Sequence, residues 1–410
     1  MKIVCLLILT FLISKNLHCQ HLRVTTAFES GSARVVSLDN ATQTIRIIPA
    51  GDTKRGMPTW WNLRIDSIDT SKPVFLEVLS TDELIPQGPS QNLRKLSPGW
   101  TWPDHATYSN DGKTWKHSSP GMKEGSYMRY SIEPDSSTLW IAWGPPFTPA
   151  DAAAFTQTLM QKHSFIKAFT LARSIEGRNV PALKISDGDK PDLQRPAIWV
   201  QARQHAWEVG GSWVAVGLAE WLAGEDKEAV SLRQYSDIYI IPLMDVDHVA
   251  TGDGGKNALP HDHNRDWGPT PHWPEVAAAQ KYIRHLAEEG RMNIFLDLHN
   301  PASGNKIQMM YVLDKTYMSS EAFPRQQRFV ELMIDEFGEL KQHRNGPKPA
   351  VTALKERVSE VWVLENANAS TIGFCIETPW NSPKSTTEGY RATGKSLGKV
   401  IGKLLSESPH

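Results

Sequence analysis

Cysteine is scarce, with three residues in a chain of 410. Cys5 and Cys19 fall in an N-terminal stretch read below as a leader, so only Cys375 stays in the mature chain and no internal disulfide can form. A chain this long has enough core to fold without such cross-links, and the length suggests two to three domains. Charge of one sign is lacking too: 44 Lys+Arg stand against 45 Asp+Glu, a formal charge of −1. No strongly basic face can be built from that balance, so no nucleic-acid partner is expected. Long apolar runs are also missing. The run Ile3 to Ile13 is eleven residues long, too short for a bilayer, and no membrane span is expected. No repeat or low-complexity tract stands out.

That short run has its own meaning. Lys2 precedes it and polar Ser14-Lys15-Asn16 follows, the pattern of a secretory signal with cleavage near Cys19/Gln20. Export to a bacterial periplasm or exterior is the expectation. A lipid anchor at Cys19 is disfavoured, because Asn16 and His18 are not small. Tryptophan, by contrast, is plentiful at 15 residues. Each needs burial, a partner for its indole N–H, or a ligand to stack on.

The chain changes character near residue 150. From Val24 to Trp143 short apolar or alternating runs, such as Gln43-Thr-Ile-Arg-Ile-Ile and Thr138-Leu-Trp-Ile-Ala-Trp, are separated by turn chemistry such as Asn110-Asp111-Gly112. This predicts an all-β antiparallel sandwich domain over 20–149, after a signal peptide at 1–19. Gly144 to Pro149 reads as a linker. From 150 to 410 strands alternate with amphipathic helices, which predicts an α/β domain with a mixed sheet. Ala197-Ile-Trp-Val-Gln-Ala is a buried-type strand, and Ser212 is the expected cap of a helix running to about Ala223. Further strands are expected near 238–244, 293–298, 308–313 and 371–376, with helices at 275–289, 325–340 and 389–406.

In open α/β sheets the ligand crevice lies at the carboxyl ends of the strands. Three strand ends carry suitable chemistry. His205 and Glu208, three residues apart on one turn, can reach one cation. Asp297 and His299 alternate onto the same side of a strand end. Two imidazoles and one carboxylate leave a fourth position for water, as catalytic zinc sites do. Glu377 ends an otherwise apolar strand. Taken singly, each of these is more often a surface pair or a salt-bridged strand end; their coincidence at strand ends favours a site.

The ordered set His205-x-x-Glu208, Asn264-Arg265, His299 and Glu377 resembles the zinc carboxypeptidases of the carboxypeptidase A type. Leu171-Ala-Arg-Ser-Ile-Glu-Gly-Arg-Asn-Val-Pro-Ala-Leu is similar to that family's opening strand motif. A sandwich in front, with Phe28-Glu-Ser-Gly near its start, looks like the cytosolic carboxypeptidase subgroup. The resemblance covers most of residues 165 to 405. It implies one zinc ion held by His205, Glu208 and His299, and a peptide or protein C-terminus as substrate. Glu377 is then the general base that takes a proton from the attacking water and passes it to the leaving amine. Asn264 and Arg265 are implied to grip the terminal carboxylate. Lys256 stands where the family places an oxyanion-stabilising arginine, and a solvated loop lysine is nearly as good a reading.

Departures from the family pattern are several. Trp207 adds bulk between the ligands, Asn300-Pro301 follows His299, and Met244-Asp-Val-Asp-His248 replaces the usual turn. No tyrosine stands shortly before the base. The pocket for the terminal side chain is expected within 350–375, where Lys355 or Arg357 pointing inward would favour an acidic residue and Trp362 an apolar or aromatic one. Two alternatives stand beside the carboxypeptidase reading. One is a zinc amidase acting on a cell-wall or other non-standard amide. The other is a non-catalytic glycan-binding protein, using the front tryptophans Trp60, Trp61, Trp100, Trp102, Trp115, Trp140 and Trp143 as stacking surfaces.

Overall fold

The structure is a computed structural model that describes residues 21–87, 92–188, 195–345 and 358–407. The expected leader, with Cys5 and Cys19, lies outside the described residues, as do Lys355 and Arg357. No described helix is long and apolar enough to cross a membrane.

The front strands form two five-stranded sheets. In one, the order is Arg23–Thr25, Asn62–Asp66, Thr138–Ala142, His105–Ser109 and Lys116–Pro120; in the other, Met122–Glu124, Tyr127–Ile132, Val74–Leu79, Thr44–Ile48 and Arg34–Asp39. Alternation decides which side chains face the core. Ile45, Ile47, Leu63, Ile65, Leu76, Val78, Leu139 and Ile141 are all fully buried, while Arg64 between Leu63 and Ile65 lies over the Trp140 ring. One pair departs from the antiparallel expectation: Thr44–Ile48 runs parallel to Val74–Leu79. The chain between them contributes Asn62–Asp66 to the other sheet, and such a crossover returns in the same direction.

The tryptophans are packing groups. Trp60, Trp61 and Trp143 are almost inaccessible, Trp102 and Trp115 are buried, and Trp100 and Trp140 are partly buried. Several indole N–H groups donate to main-chain oxygens: Trp60 to Ser30 at 2.9 Å, Trp61 to Thr101 at 3.0 Å and Trp102 to Val78 at 2.7 Å. An exposed stacking platform, which the glycan-binding reading needs, is not formed by these seven residues.

Beyond the sandwich, Thr148 opens the helix Pro149–Lys162 with a reciprocal cap: its hydroxyl accepts from Asp151 N, and the Asp151 carboxylate accepts from Thr148 N. An eight-stranded mixed sheet follows. Its spatial order is Ile166–Arg173, Asn179–Ile185, Asp237–Ile241, Ala197–Ala202, Met292–His299, Ile372–Glu377, Gln308–Leu313 and Leu340–Asn345. The four strands from Asp237–Ile241 to Ile372–Glu377 are parallel. Ala197–Ala202, Asp237–Ile241 and Ile372–Glu377 are buried at every position, which explains why each is apolar but for one polar residue. Two groups of mutually packed helices cover the sheet. Val209–Ala223, Ala322–Phe337 and Thr387–Glu407 form one; Pro274–Glu288 and Ser359–Asn366 form the other.

The helix after Ala197–Ala202 corrects one expectation. It starts at Val209 with Glu208 in the cap position, so Ser212 lies inside it and its hydroxyl donates to Pro242 O at 2.7 Å. The Glu208 side chain makes no cap bond. The Asn300 side chain serves instead, its Oδ1 accepting from Gly211 N at 3.0 Å.

Candidate active site

The parallel strands end together, and so do the chemical groups. After Ala202 the chain enters a tight turn with Arg203 at φ +67°. Arg203 is buried and donates through Nε to Ala206 O at 2.6 Å, which fixes the turn. His205 and Glu208 thereby face His299 at the end of the neighbouring strand. His205 Nδ1 lies 2.9 Å from Glu208 Oε1, and His299 Nδ1 lies 2.7 Å from Glu208 Oε2. All three side chains are buried. Burial opposes the charge on Glu208, but His205, Lys256 and His299 outweigh it and hold the carboxyl well below its usual range. Burial likewise opposes charge on His299, and Asp297 with Glu208 raises it well above the ordinary histidine range.

The three residues fit a zinc ion. One ligand atom from each lies within 4.8 Å of the others. Ligands ~2.0–2.1 Å from a tetrahedral ion stand roughly 3.3 Å apart, so only small adjustments are needed. Each imidazole also turns its far nitrogen to a carboxylate. His299 Nε2 is 3.0 Å from Asp297 Oδ2, and His205 Nε2 is 3.5 Å from Asp262 Oδ1. Such partners fix the tautomer and ring direction of a metal-binding histidine. Asp262 was not singled out as part of the site from the sequence; its only signal is a carboxylate two residues before Asn264. Arg265 and His205 overcome its burial and keep it strongly acidic.

Glu377 is the register partner of His299 on the next strand. It is buried, and among the described residues its Oε2 has no hydrogen-bond partner. Burial first, and then the neighbouring Glu208, push its pKa up to about 7. Asn264 and Arg265 sit on the short turn His263–Arg265. The Asn264 Oδ1 accepts from Ser359 N at 2.9 Å, while its Nδ2 is 3.3 Å from His299 Nε2. Arg265 is half-buried, and its Nη1 donates to Asn264 O at 2.8 Å. Lys256 Nζ stands 3.3 Å from His205 Nδ1 and 3.4 Å from Glu208 Oε1. Tyr311 also reaches this region from the strand beside Glu377. Burial and the Glu377 charge push its hydroxyl up to about 12. No sequence signal marks it, because it comes from the strand Gln308–Leu313 and not from the stretch just before Glu377.

Two departures take a different form in space. Trp207, expected to crowd the site, turns out of it into a cage of Trp100, Trp143 and Trp380, with ring centroids 5.6, 5.4 and 5.5 Å away. Asn300 ties the site together: its N–H donates to Glu208 Oε2 at 3.2 Å and its Nδ2 to Thr378 O at 2.6 Å. Within the expected specificity stretch, Trp362 packs at 5.5 Å from Trp267 and under the Arg284 guanidinium.

A second buried group, Asp245, His248 and His263, also gathers ligand-type atoms. It reads as a charge-paired network. His248 Nδ1 lies 2.7 Å from Asp245 Oδ2, and His263 Nε2 lies 2.5 Å from Glu275 Oε1. Burial would discharge His263, but Asp245 and Glu275 push it up to about 9, so it holds its proton at neutral pH.

This sheet, with two imidazoles and a carboxylate at the ends of its parallel strands, is a metallocarboxypeptidase fold. The sequence model of the family described as "Zinc carboxypeptidase" matches residues 152–270, and that of the "Cytosolic carboxypeptidase N-terminal domain" matches residues 24–143. The chain thus carries a zinc carboxypeptidase-type domain behind a front domain of the cytosolic carboxypeptidase type. Among curated proteins it is similar to an uncharacterized protein of Zymomonas mobilis, 25% identical over 283 residues that make up 68% of this chain and 67% of the relative. Human cytosolic carboxypeptidase 2 is 23% identical over 255 residues, which are 60% of this chain but only 28% of that longer protein. Among solved structures, a metallo-carboxypeptidase from Burkholderia cenocepacia superposes with a TM-score of 0.76 at 20% identity, covering 94% of this chain and 99% of the other. A metallo-carboxypeptidase from Pseudomonas aeruginosa, solved with (2-guanidinoethylmercapto)succinic acid, gives 0.73 at 20% identity, with 94% and 99% covered. At that identity the superpositions speak for the fold.

Proposed function

We propose that the protein is a zinc-dependent metallocarboxypeptidase that removes the C-terminal residue of peptides or proteins. The observation that carries this reading is the convergence of His205 Nδ1, His299 Nδ1 and both Glu208 oxygens, with Glu377 on the adjacent strand end. His205, Glu208 and His299 would hold zinc, which when bound acidifies a water and polarises the scissile carbonyl. Asp297 and Asp262 orient the two imidazoles from behind. Glu377 takes the proton of the attacking water and delivers it to the leaving amine. Its pKa, pushed up to about 7 by burial and Glu208, suits a group that must both accept and release a proton near neutrality. Lys256 supplies positive charge where the carbonyl oxygen gains negative charge. Arg265, carried on the Asn264 turn, binds the terminal carboxylate; that contact admits a single residue beyond the scissile bond and makes the enzyme an exopeptidase.

A direct test uses one peptide with a free C-terminus and the same peptide C-terminally amidated. The reading expects removal of the last residue from the first and sparing of the second. Equal cleavage of both would remove the carboxylate clamp from the account. Export is proposed from the run Ile3 to Ile13 and its flanks. N-terminal sequencing of protein recovered from the periplasm of an expressing bacterium should begin near Gln20; an intact Met1 in cytosolic protein would refute it.

A further inference from the structure

The segment Asp52–Met57 of the front sandwich lies along the loop that carries Lys256, and the two are joined main chain to main chain. Gly255 N donates to Arg55 O at 2.9 Å, Met57 N to Lys256 O at 2.8 Å and Leu259 N to Lys54 O at 2.8 Å. Side chains reinforce this. Arg55 Nε donates to Asp253 Oδ2 at 2.6 Å, and Asp253 Oδ1 accepts from Asp52 N at 2.9 Å. A second arm of the Arg55 guanidinium reaches Glu176 Oε1 at 2.8 Å.

The approach is so close that it demands glycine. A Cβ at Gly254 would collide with the Met57 carbonyl oxygen, and one at Gly255, which sits at φ +74°, would lie 2.6 Å from Ala206 N. Gly254 O in turn accepts from Trp207 N at 3.1 Å. The loop is therefore gripped between Arg55–Met57 on one side and the interior of the His205-x-x-Glu208 motif on the other. Lys256 is the next residue along. An ammonium on a flexible stem has no directional fork, so its effect on a reacting oxygen depends on where its backbone is held.

We propose that Arg55 is a positioning residue for hydrolysis: by holding Asp253 it fixes the Gly254–Gly255 backbone and with it the Lys256 ammonium, making the front sandwich a working part of the active site. This rests on the reading of Lys256 as the cation that stabilises the developing oxyanion. A purely structural clasp would alter stability alone. A positioning role lowers kcat through Lys256.

The test is a double-mutant cycle on the full-length, zinc-loaded enzyme, read with the N-acyl dipeptide that the wild type hydrolyses fastest. Lys256→Ala should lower kcat roughly 100-fold. Arg55→Ala should lower kcat at least roughly tenfold with KM little changed and zinc bound as in wild type. The double variant should be no slower than Lys256→Ala alone, since the two act as one unit. Wild-type kcat in Arg55→Ala, beside an impaired Lys256→Ala, overturns the positioning role and leaves the Lys256 reading intact. So does a double variant slowed by the product of the two single effects. Full activity in Lys256→Ala sinks that reading, and the proposal with it. Should Arg55→Ala fail to fold, Arg55→Lys carries the test. Its compact head loses the grip on Asp253, and kcat should fall roughly three- to tenfold at constant KM; unchanged kcat overturns the proposal.

Discussion

His263 lies beside the Asn264–Arg265 clamp, and its charge state has a predictable weight. Its ring is fully buried, stacked on Trp273 with centroids 4.5 Å apart. Nε2 lies 2.5 Å from Glu275 Oε1 and Nδ1 lies 3.5 Å from Asp245 Oδ2. Burial alone would lower its pKa, but the two carboxylates reverse that and raise it from 6.5 to about 9. A shift of that size corresponds to about 3 kcal/mol. Because the folded value is the higher one, this stability is fully present below pH 6.5 and is lost as pH rises through 9. Asp245 reports the same contacts from the other side: burial would raise it, yet His248 and His263 hold it at about 2 against 3.8. That contribution is present above pH 3.8 and lost as pH falls through 2, and the shared interaction is counted once. The assay compares zinc-loaded wild type with His263→Gln in urea unfolding followed by tryptophan fluorescence. Loss of ring packing is independent of pH, so the pH-dependent part of the difference isolates the charge. It should shrink by about 3 kcal/mol between pH 6 and pH 10. An equal difference at both pH values would refute the charged-histidine account.

Other expectations follow from the same geometry. Glu377→Gln should retain zinc, because Glu377 is not placed as a ligand, while kcat drops roughly 10²–10⁴-fold; metal analysis beside a rate assay checks it, and wild-type activity would contradict it. The base works as a carboxylate, so kcat/KM should fall as pH drops below an apparent pKa at or under about 7, where burial and Glu208 have raised it. A bound divalent cation pulls that limb lower, and a flat profile down to pH 4 would argue against the role. His299→Ala should lose zinc on gel filtration while wild type keeps it. Trp207→Ala empties the cage between the two halves and should cost about 3–5 kcal/mol, seen as a lower melting temperature.

The text of the chain was most legible where structure depends on short spacings. Alternating runs such as Thr44–Ile48 gave sandwich strands, and largely apolar runs such as Ala197–Ala202 gave the parallel core. The grouping of His205, Glu208 and His299 was readable because the first two follow one strand and the third ends its parallel neighbour, and parallel strands end on one edge. Contacts between distant segments were not readable. Nothing near Trp207 announces that Trp100, Trp143 and Trp380 will draw it away from the site. The grip of Arg55 on Asp253 spans 198 residues. The pairing of His248 and His263 around Asp245 needs two separate turns to meet. Ser212 misled as a cap because Asn300, 89 residues beyond the Gly211 N–H that it accepts from, caps that helix instead. The parallel pair within the front sandwich follows from a crossover between sheets, which local alternation does not encode.

The central claim is a zinc-dependent attack on the last peptide bond of a chain. The most direct measurement incubates the purified, zinc-loaded protein with a mixed peptide library, with and without a chelator, and reads the products by mass spectrometry. The account predicts loss of single C-terminal residues that stops with the chelator and resumes when zinc is restored. Internal cleavage, or trimming that the chelator leaves untouched, would contradict it.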